Sequence, residues 1–97
     1  MRITGGELRG RRLRTPPSLF VRPTQDMVRE AVFSMLAKNV VKSNFLDLFA
    51  GTGSVGIEAW SRGAKSVNWV EKDAKTARIL KDNIDNLCTA NPGRVYV

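Results

Sequence analysis

The eleven residues from Leu46 to Gly56, LDLFAGTGSVG, constrain the fold of this chain more than any other segment. The largely apolar segment 45–49 predicts a strand, and Gly51 and Gly53 allow the backbone to turn tightly and approach a ligand. Gly56 then allows the following helix to pack closely on the sheet. A strand, a glycine turn and a helix in this order predict a site for a nucleotide-like ligand.

An acidic residue follows the glycine turn at the spacing that ribose recognition uses. Glu71 lies twenty residues after Gly51, at the end of a second apolar stretch, Val67 to Val70. A carboxylate at this place accepts hydrogen bonds from ribose hydroxyls. The strand before, the helix after and the acid at this distance make the pattern more specific than glycines alone. A purely structural turn is the alternative.

Asp47 bears on the choice of cofactor because it places a charge within the predicted strand. NAD sites usually have small apolar residues before the first glycine, and burying an unpaired carboxylate costs several kcal/mol. We therefore expect Asp47 to face the ligand, where the ammonium of S-adenosylmethionine or a set of backbone donors would compensate its charge. The alternative is a strand-end residue that bonds local backbone amides.

Basic residues are concentrated in the first third of the chain. Residues 1–29 contain seven Arg against Glu7 and Asp26, a surplus of five in a chain whose net charge is +7. Arg presents a forked set of donors to phosphate oxygens, so this surplus predicts a polyanion as partner. A solvated basic arm is the alternative. The residues predicted to contact the polyanion are Arg9, Arg11, Arg12, Arg14 and Arg22.

The remaining composition excludes several classes of site. One cysteine, Cys88, excludes an internal disulfide, and the absence of histidine removes the commonest zinc ligand and general base, so no metal is expected. No apolar run approaches the roughly eighteen residues of a membrane span, and no signal-peptide core follows Met1. We expect a soluble cytoplasmic protein of one small domain.

Local patterns predict the order of elements. Glycines in residues 5–12 indicate a short hairpin or irregular basic loop, and prolines keep residues 15–23 extended. Thr24 caps a predicted helix that ends near Lys38. An apolar stripe at helical spacing predicts that this helix packs against the core. The stripe consists of Met27, Val28, Ala31, Val32, Met35 and Leu36.

The second half of the chain is predicted to hold one more helix and one more strand. Helical spacing of apolar residues predicts a helix over residues 74–87. Residues 91–93, Asn-Pro-Gly, indicate a turn, and a third strand is predicted to begin at Val95.

Several segments together resemble the bacterial methyltransferases that modify a guanine N2 of small-subunit (16S) ribosomal RNA, the RsmD type. The resemblance runs from Met1 to about Asn86, which is the amino-terminal half of such a protein. It implies an α/β, Rossmann-like class I methyltransferase fold that uses S-adenosylmethionine and acts on ribosomal RNA. The segments that carry it are residues 2–6, 9–13, 22–24, 28–33, 46–64 and 70–71.

The resemblance also implies roles for individual residues. Asp47, Gly51 and Gly53 would contact the methionine end of the cofactor, and Glu71 the ribose hydroxyls. Residues 24–29 would close over the cofactor. The arginines of the basic segment would bind RNA, which divides the chain into a basic RNA-binding arm or hairpin, 1–23, and the first half of the cofactor-binding domain, 24–97. The predicted cofactor-binding residues are Thr24, Arg29, Asp47, Phe49, Gly51, Thr52, Gly53, Glu71 and Lys72.

One departure from the family pattern is as informative as the match. Family members hold the target amino group with an Asp/Asn-Pro-Pro-aromatic quartet after the fourth strand, and here Asn91-Pro92 is followed by Gly93 and Arg94. We therefore expect a fold truncated after about three strands, with no catalytic residues in this chain and no turnover by the chain alone.

Two further expectations follow from the predicted truncation. Residues 44–49 would form an open strand edge, which favours self-association or pairing with a missing carboxyl-terminal half. The alternative functions are a noncatalytic RNA-binding or assembly module with a vestigial cofactor loop and, weakened by Asp47 and the basic segment, an NAD-dependent half-domain.

Overall fold

Helices and strands alternate along the chain. The computed structural model describes residues 1–15, 23–88 and 90–97. The predicted strands, the helix after the glycine turn and the helix over residues 74–87 are confirmed. The elements are α1 (Pro23–Leu36) with a short 3-10 turn (Ala37–Asn39), β1 (Asn44–Asp47), α2 (Ser54–Ser61), β2 (Ser66–Val70), α3 (Ala74–Leu87) and β3 (Val95–Tyr96).

The three strands form one parallel sheet in the order β1-β2-β3. β1 pairs with β2 from Asn44 opposite Ser66 to Asp47 opposite Trp69. Parallel strands connected by helices give an α/β, Rossmann-like arrangement, as predicted. β1 lies at one edge of the sheet, and no strand in the described part of the chain pairs with its outer side. Self-association through this edge stays a prediction.

Glycines determine how closely α2 approaches the sheet. We call residues 48–53, between β1 and α2, the glycine loop; Gly51 and Gly53 have φ angles of +56° and +94° there. A Cβ atom on Gly56 would meet the indole ring of Trp69 and would lie 2.8 Å from Cγ1 of Val67. Only glycine therefore fits at position 56 without moving α2 away from β2.

Residues 1–15 form an irregular hairpin, the basic hairpin, which packs against α2. Arg2 and Arg12 form an antiparallel bridge. The amide of Leu8 donates to Oγ of Ser61 at 2.8 Å. The hairpin contributes three buried apolar side chains to the same core as the sheet: Ile3, Leu8 and Leu13.

A buried carboxylate connects this hairpin to two helices. Glu58, on α2, has a fully buried side chain. Its Oε1 accepts hydrogen bonds from the Thr4 amide and from Nε of Arg29, both at 2.9 Å. Its Oε2 accepts from the Gly5 amide at 2.9 Å and from Nε of Arg62 at 2.8 Å. We call these five residues the Glu58 cluster.

The four donors keep Glu58 ionised. Burial alone would raise the pKa of Glu58, but hydrogen bonds from Arg62, Thr4 and Arg29 outweigh burial and lower this pKa below its usual value. The carboxylate is therefore charged at neutral pH and satisfied by donors from the basic hairpin, from α1 and from Arg62, which directly follows α2.

The prediction that the apolar stripe of α1 packs in the core is wrong. The five large side chains of the stripe are between 38% and 85% exposed, and Ala31 is exposed as well. α1 instead buries Arg29 and Phe33, because Arg29 pairs with Glu58 and the ring of Phe33 packs 6.0 Å from that of Phe45. The exposed large residues of the stripe are Met27, Val28, Val32, Met35 and Leu36.

We predict that Glu58→Gln lowers the free energy of unfolding by about 3–5 kcal/mol, because it removes the counter-charge that the Arg29 and Arg62 guanidinium groups share. Urea unfolding at neutral pH measures the change, and Glu7→Gln, at an exposed position, serves as the matched control with a change within about 0.5 kcal/mol.

The same variants test the pH dependence. Because the pKa of Glu58 is lowered from 4.5 in the folded chain, its contribution is complete above that pH and is lost as the pH falls through the folded value. The stability difference between the wild-type chain and Glu58→Gln should shrink in acid. A difference that stays constant on acidification would contradict the assignment.

Candidate functional site

The carboxyl ends of β1 and β2 lie side by side, and the glycine loop extends from the first of them. Ligands of α/β sheets bind in the crevice outside these strand ends. A cavity of about 590 Å³ lies there, lined by Leu48, Phe49, Val70, Glu71, Lys72 and Val97. We call it the strand-end cavity. Three of the predicted residues, Phe49, Glu71 and Lys72, therefore border one space.

A second cavity, of about 580 Å³, lies between residues of α1 and residues of the glycine loop. We call it the helix cavity. Its lining is mostly apolar and includes Val28 and Val32 of α1 together with Gly51, Thr52 and Val55. The glycine loop thus contributes residues to both cavities, Leu48 and Phe49 to the strand-end cavity and Gly51 and Thr52 to the helix cavity.

Glu71 both borders the strand-end cavity and orients the glycine loop. Its Oε1 accepts a hydrogen bond from the Gly51 amide at 2.8 Å, and its Oε2 accepts from the Asp73 amide at 2.8 Å. The side chain is half-buried. Each carboxylate oxygen retains acceptor capacity, which ribose hydroxyls could use.

Asp47 lies at the end of β1 and is only 9% exposed. Burial raises the pKa of Asp47, hydrogen bonds from the Gly56 and Phe49 amides partly offset this, and the nearby Glu71 carboxylate raises it further. The bond from the Gly56 amide to Oδ2 is 3.2 Å long. Asp47 thus bonds local backbone amides, as the alternative interpretation of this residue expected. These bonds do not fully offset the effect of burial on its pKa. A ligand cation beside Asp47 would do so.

The other predicted cofactor residues lie at different depths. Phe49 is 94% exposed and Thr52 only 7%. Lys72 is exposed at the strand-end cavity. Thr24 lies in the first turn of α1. Arg29 borders the helix cavity, but its guanidinium is held in ion pairs with Glu58 and Asp26.

Two buried polar residues that hold this site together are not among the predicted ones. Glu58 fixes α1, and Asn83 of α3 donates from Nδ2 to the carbonyl oxygen of Thr52 at 2.8 Å. Each lies among apolar neighbours in the sequence, Glu58 between Ile57 and Ala59, and Asn83 on the apolar face of α3. A polar residue at a position where the helical spacing demands an apolar one is the signal that could have found both.

The basic hairpin carries four of the predicted arginines on its surface: Arg9, Arg11, Arg12 and Arg14 are exposed. Nη1 of Arg14 lies 3.5 Å from Oδ2 of Asp82, in a pair that is itself exposed. Arg22 lies outside the described residues. The hairpin therefore presents a cationic surface while its apolar side chains anchor it.

Three other features concern metal ligands, membrane-spanning helices and the cysteine thiol. Residues 1–15, 23–88 and 90–97 contain no cluster of three or more potential metal ligands. None of the helices described here is long and apolar enough to cross a bilayer. Burial raises the pKa of the Cys88 thiol to about 11, so this thiol is protonated, and hence unreactive, at neutral pH.

The parallel sheet with its helices and glycine loop is a Rossmann-like arrangement, and solved structures described as methyltransferases share it. The solved structure described as "Putative methyltransferase yhhF from Escherichia coli" superposes with a TM-score of 0.86 at 40% identity, over 99% of this chain and 50% of that one. A hypothetical protein from Thermus thermophilus superposes with a TM-score of 0.82 at 38% identity, over 100% of this chain and 54% of that one.

The sequence comparisons give the family. The family described as "Conserved hypothetical protein 95" matches residues 1–97, and the chain belongs to it. Ribosomal RNA small subunit methyltransferase D of Escherichia coli K12 is 43% identical over 97 residues, which are 100% of this chain and 48% of that protein. The resemblance to the RsmD type is confirmed, and the chain spans about half the length of the curated relatives it matches.

We predict that Asp47→Asn raises the stability of the ligand-free chain, because it removes a carboxylate whose pKa burial has raised above 3.8. The raised pKa means that this carboxylate destabilises the fold as the pH rises from 3.8 through the folded value. The gain of the variant should therefore grow over that range and be complete at neutral pH.

Urea midpoints across this pH range provide the measurement. Asp85→Asn, at an exposed position of α3, is the matched control and should show little change. A loss of stability in Asp47→Asn at neutral pH would mean that the charge is compensated within the chain and is not available for a ligand.

Proposed function

We propose that this chain is the cofactor-binding half of an S-adenosylmethionine-dependent methyltransferase that acts on a guanine N2 of small-subunit ribosomal RNA. The observation that carries the proposal is a pair of acids at the carboxyl ends of β1 and β2. Asp47 is buried without full compensation of its charge, and Glu71 faces the strand-end cavity beside the glycine loop. The curated relatives named as small-subunit rRNA methyltransferases support the substrate class.

The residues at these strand ends fit S-adenosylmethionine. Asp47 would offset the ammonium of its methionine end, and Glu71 would accept from the ribose hydroxyls. Gly51 and Gly53 would let the backbone approach the ligand, while Phe49 and Lys72 border the space in which its nucleoside end would lie. When bound, the cofactor supplies an already activated methyl group.

Methyl transfer requires both a bound cofactor and a held acceptor, and this chain is proposed to supply only the first. Methyl transfer needs the acceptor lone pair held in line with the methyl group, and little else from the protein. The Asp/Asn-Pro-Pro-aromatic quartet that would hold the acceptor is absent from these 97 residues. We therefore propose that this chain binds the cofactor and RNA in the bacterial cytoplasm without turnover of its own, and that the acceptor is held by residues beyond it.

RNA contact is assigned to the basic hairpin and Arg22. The exposed guanidinium groups of Arg9, Arg11, Arg12 and Arg14 would contact phosphates, which positions the RNA without reading its sequence. The open side of β1 would pair with a carboxyl-terminal half or with a second copy of the chain.

We predict that S-adenosylmethionine and S-adenosylhomocysteine bind this chain, and that Glu71→Gln weakens both by about 10- to 150-fold, through loss of charge-assisted hydrogen bonds worth about 1.5–3 kcal/mol. Isothermal titration calorimetry measures the affinities. Glu30→Gln, at an exposed position of α1, is the control.

The same titrations distinguish the alternatives. Binding of NAD in place of S-adenosylmethionine would favour the oxidoreductase half-domain. RNA binding without either cofactor would favour the noncatalytic module. An unchanged affinity in Glu71→Gln would remove the ribose role of that residue.

We predict that replacing Arg9, Arg11, Arg12 and Arg14 with Ala reduces the slope of log affinity against log salt by up to about 0.7–0.9 for each phosphate that is no longer neutralised. Fluorescence anisotropy with a short labelled RNA hairpin measures this slope. A matched variant removes the same charge at four exposed positions elsewhere, and its slope should change less: Lys65, Lys75, Arg78 and Lys81. Equal slopes in the two variants would make the hairpin a general basic surface.

A further inference from the structure

One buried amide contacts both the basic hairpin and the glycine loop. The side chain of Asn83 is 1% exposed. Its Oδ1 accepts from the Arg14 amide at 2.8 Å, and its Nδ2 donates to the carbonyl oxygens of Arg14 at 3.0 Å and Thr52 at 2.8 Å. Both Nδ2 hydrogens are therefore used, one for each segment.

The neighbouring turn of α3 supports the same loop. Leu80, one turn before Asn83, lies so close to Gly53 that a Cβ atom there would collide with its Cδ1. The glycine loop thus rests on α3 at two successive positions, by apolar contact at Gly53 and by a hydrogen bond at Thr52. Its position depends on α3 as well as on β1.

On the basic hairpin, Asn83 bonds the backbone of Arg14, whose side chain is a solvent-exposed cation. The side chain of Arg14 is 69% exposed, and its partner Asp82 is 49% exposed. Exposed pairs of this kind contribute little to stability, so a phosphate could replace Asp82 at small cost. Asn83 therefore holds the backbone of a residue whose exposed guanidinium can exchange Asp82 for an RNA phosphate.

We propose that Asn83 is a positioning residue that couples RNA contact at Arg14 to cofactor binding at the glycine loop. The inference rests on the proposed function. A ligand that orders one of the two segments leaves less to be ordered when the other ligand binds, so the two ligands strengthen each other's binding. This coupling is reciprocal by thermodynamic necessity.

The test measures the affinity of the chain for a short fluorescein-labelled RNA hairpin with and without saturating S-adenosylhomocysteine. We expect the wild-type ratio to be about fivefold or more. In Asn83→Asp, which retains an acceptor for the Arg14 amide but loses both Nδ2 donors, the ratio should fall to about 1. Asn86→Asp, the same change at an exposed position of the same helix, should keep the wild-type ratio.

A merely structural role of Asn83 would weaken either binding event without changing this ratio. A folded Asn83→Asp chain with the wild-type ratio overturns the proposal, as does a wild-type ratio of about 1.

A second measurement needs neither a variant nor the cofactor. Hydrogen exchange of the wild-type amides at residues 51–54 should slow when the RNA hairpin binds at the basic hairpin. Unchanged exchange there, with RNA bound, overturns the coupling. Failure of S-adenosylhomocysteine to bind overturns the proposed function, and RNA that still slows exchange in these residues then supports only a structural link between the basic hairpin and the glycine loop; failure of RNA to bind overturns both the proposed function and the coupling.

Discussion

The Glu58 carboxylate is the constraint on which the arrangement of this chain depends. A buried charge is tolerated only when its partners are all in place, and here they come from the basic hairpin, from α1 and from Arg62 after the end of α2. These segments are therefore held to one another by a group that none of them can satisfy alone. The hairpin is part of the same packed unit as the sheet, although its composition is that of a solvated arm.

In the candidate site, unlike in the Glu58 cluster, a buried carboxylate is not fully compensated by its neighbours. Asp47 is buried with a raised pKa, and the Glu71 carboxylate nearby adds to the cost. The Glu58 cluster satisfies its charge with four donors, whereas the strand ends leave theirs under-compensated, as binding sites commonly do. Both groups are attached to α2, which begins after the glycine loop: Asp47 accepts a hydrogen bond from the Gly56 amide, and Glu58 lies two residues further along the helix.

The sequence was sufficient for the elements whose causes are local. The strand, glycine turn and helix around Gly51 and Gly53 follow from backbone freedom, and the bounds of α3 follow from its apolar spacing. The face that α1 buries could not be predicted in this way. Its apolar stripe obeys helical spacing, yet the helix is oriented by Arg29, which pairs with a residue 29 positions away. Such long-range charge pairing leaves no periodic signal.

Two residues of the exposed stripe of α1 nevertheless line the helix cavity. Val28 and Val32 border the helix cavity opposite Gly51 and Thr52, so part of the stripe faces the glycine loop across open space. The distance across that cavity depends on where α1 lies, and the Arg29 to Glu58 pair holds α1 in place. Glu58 thus sets the position of one wall of the helix cavity, and Asn83, through Thr52, sets the other. Two buried polar side chains on different helices thereby hold the walls of a cavity that neither of them lines.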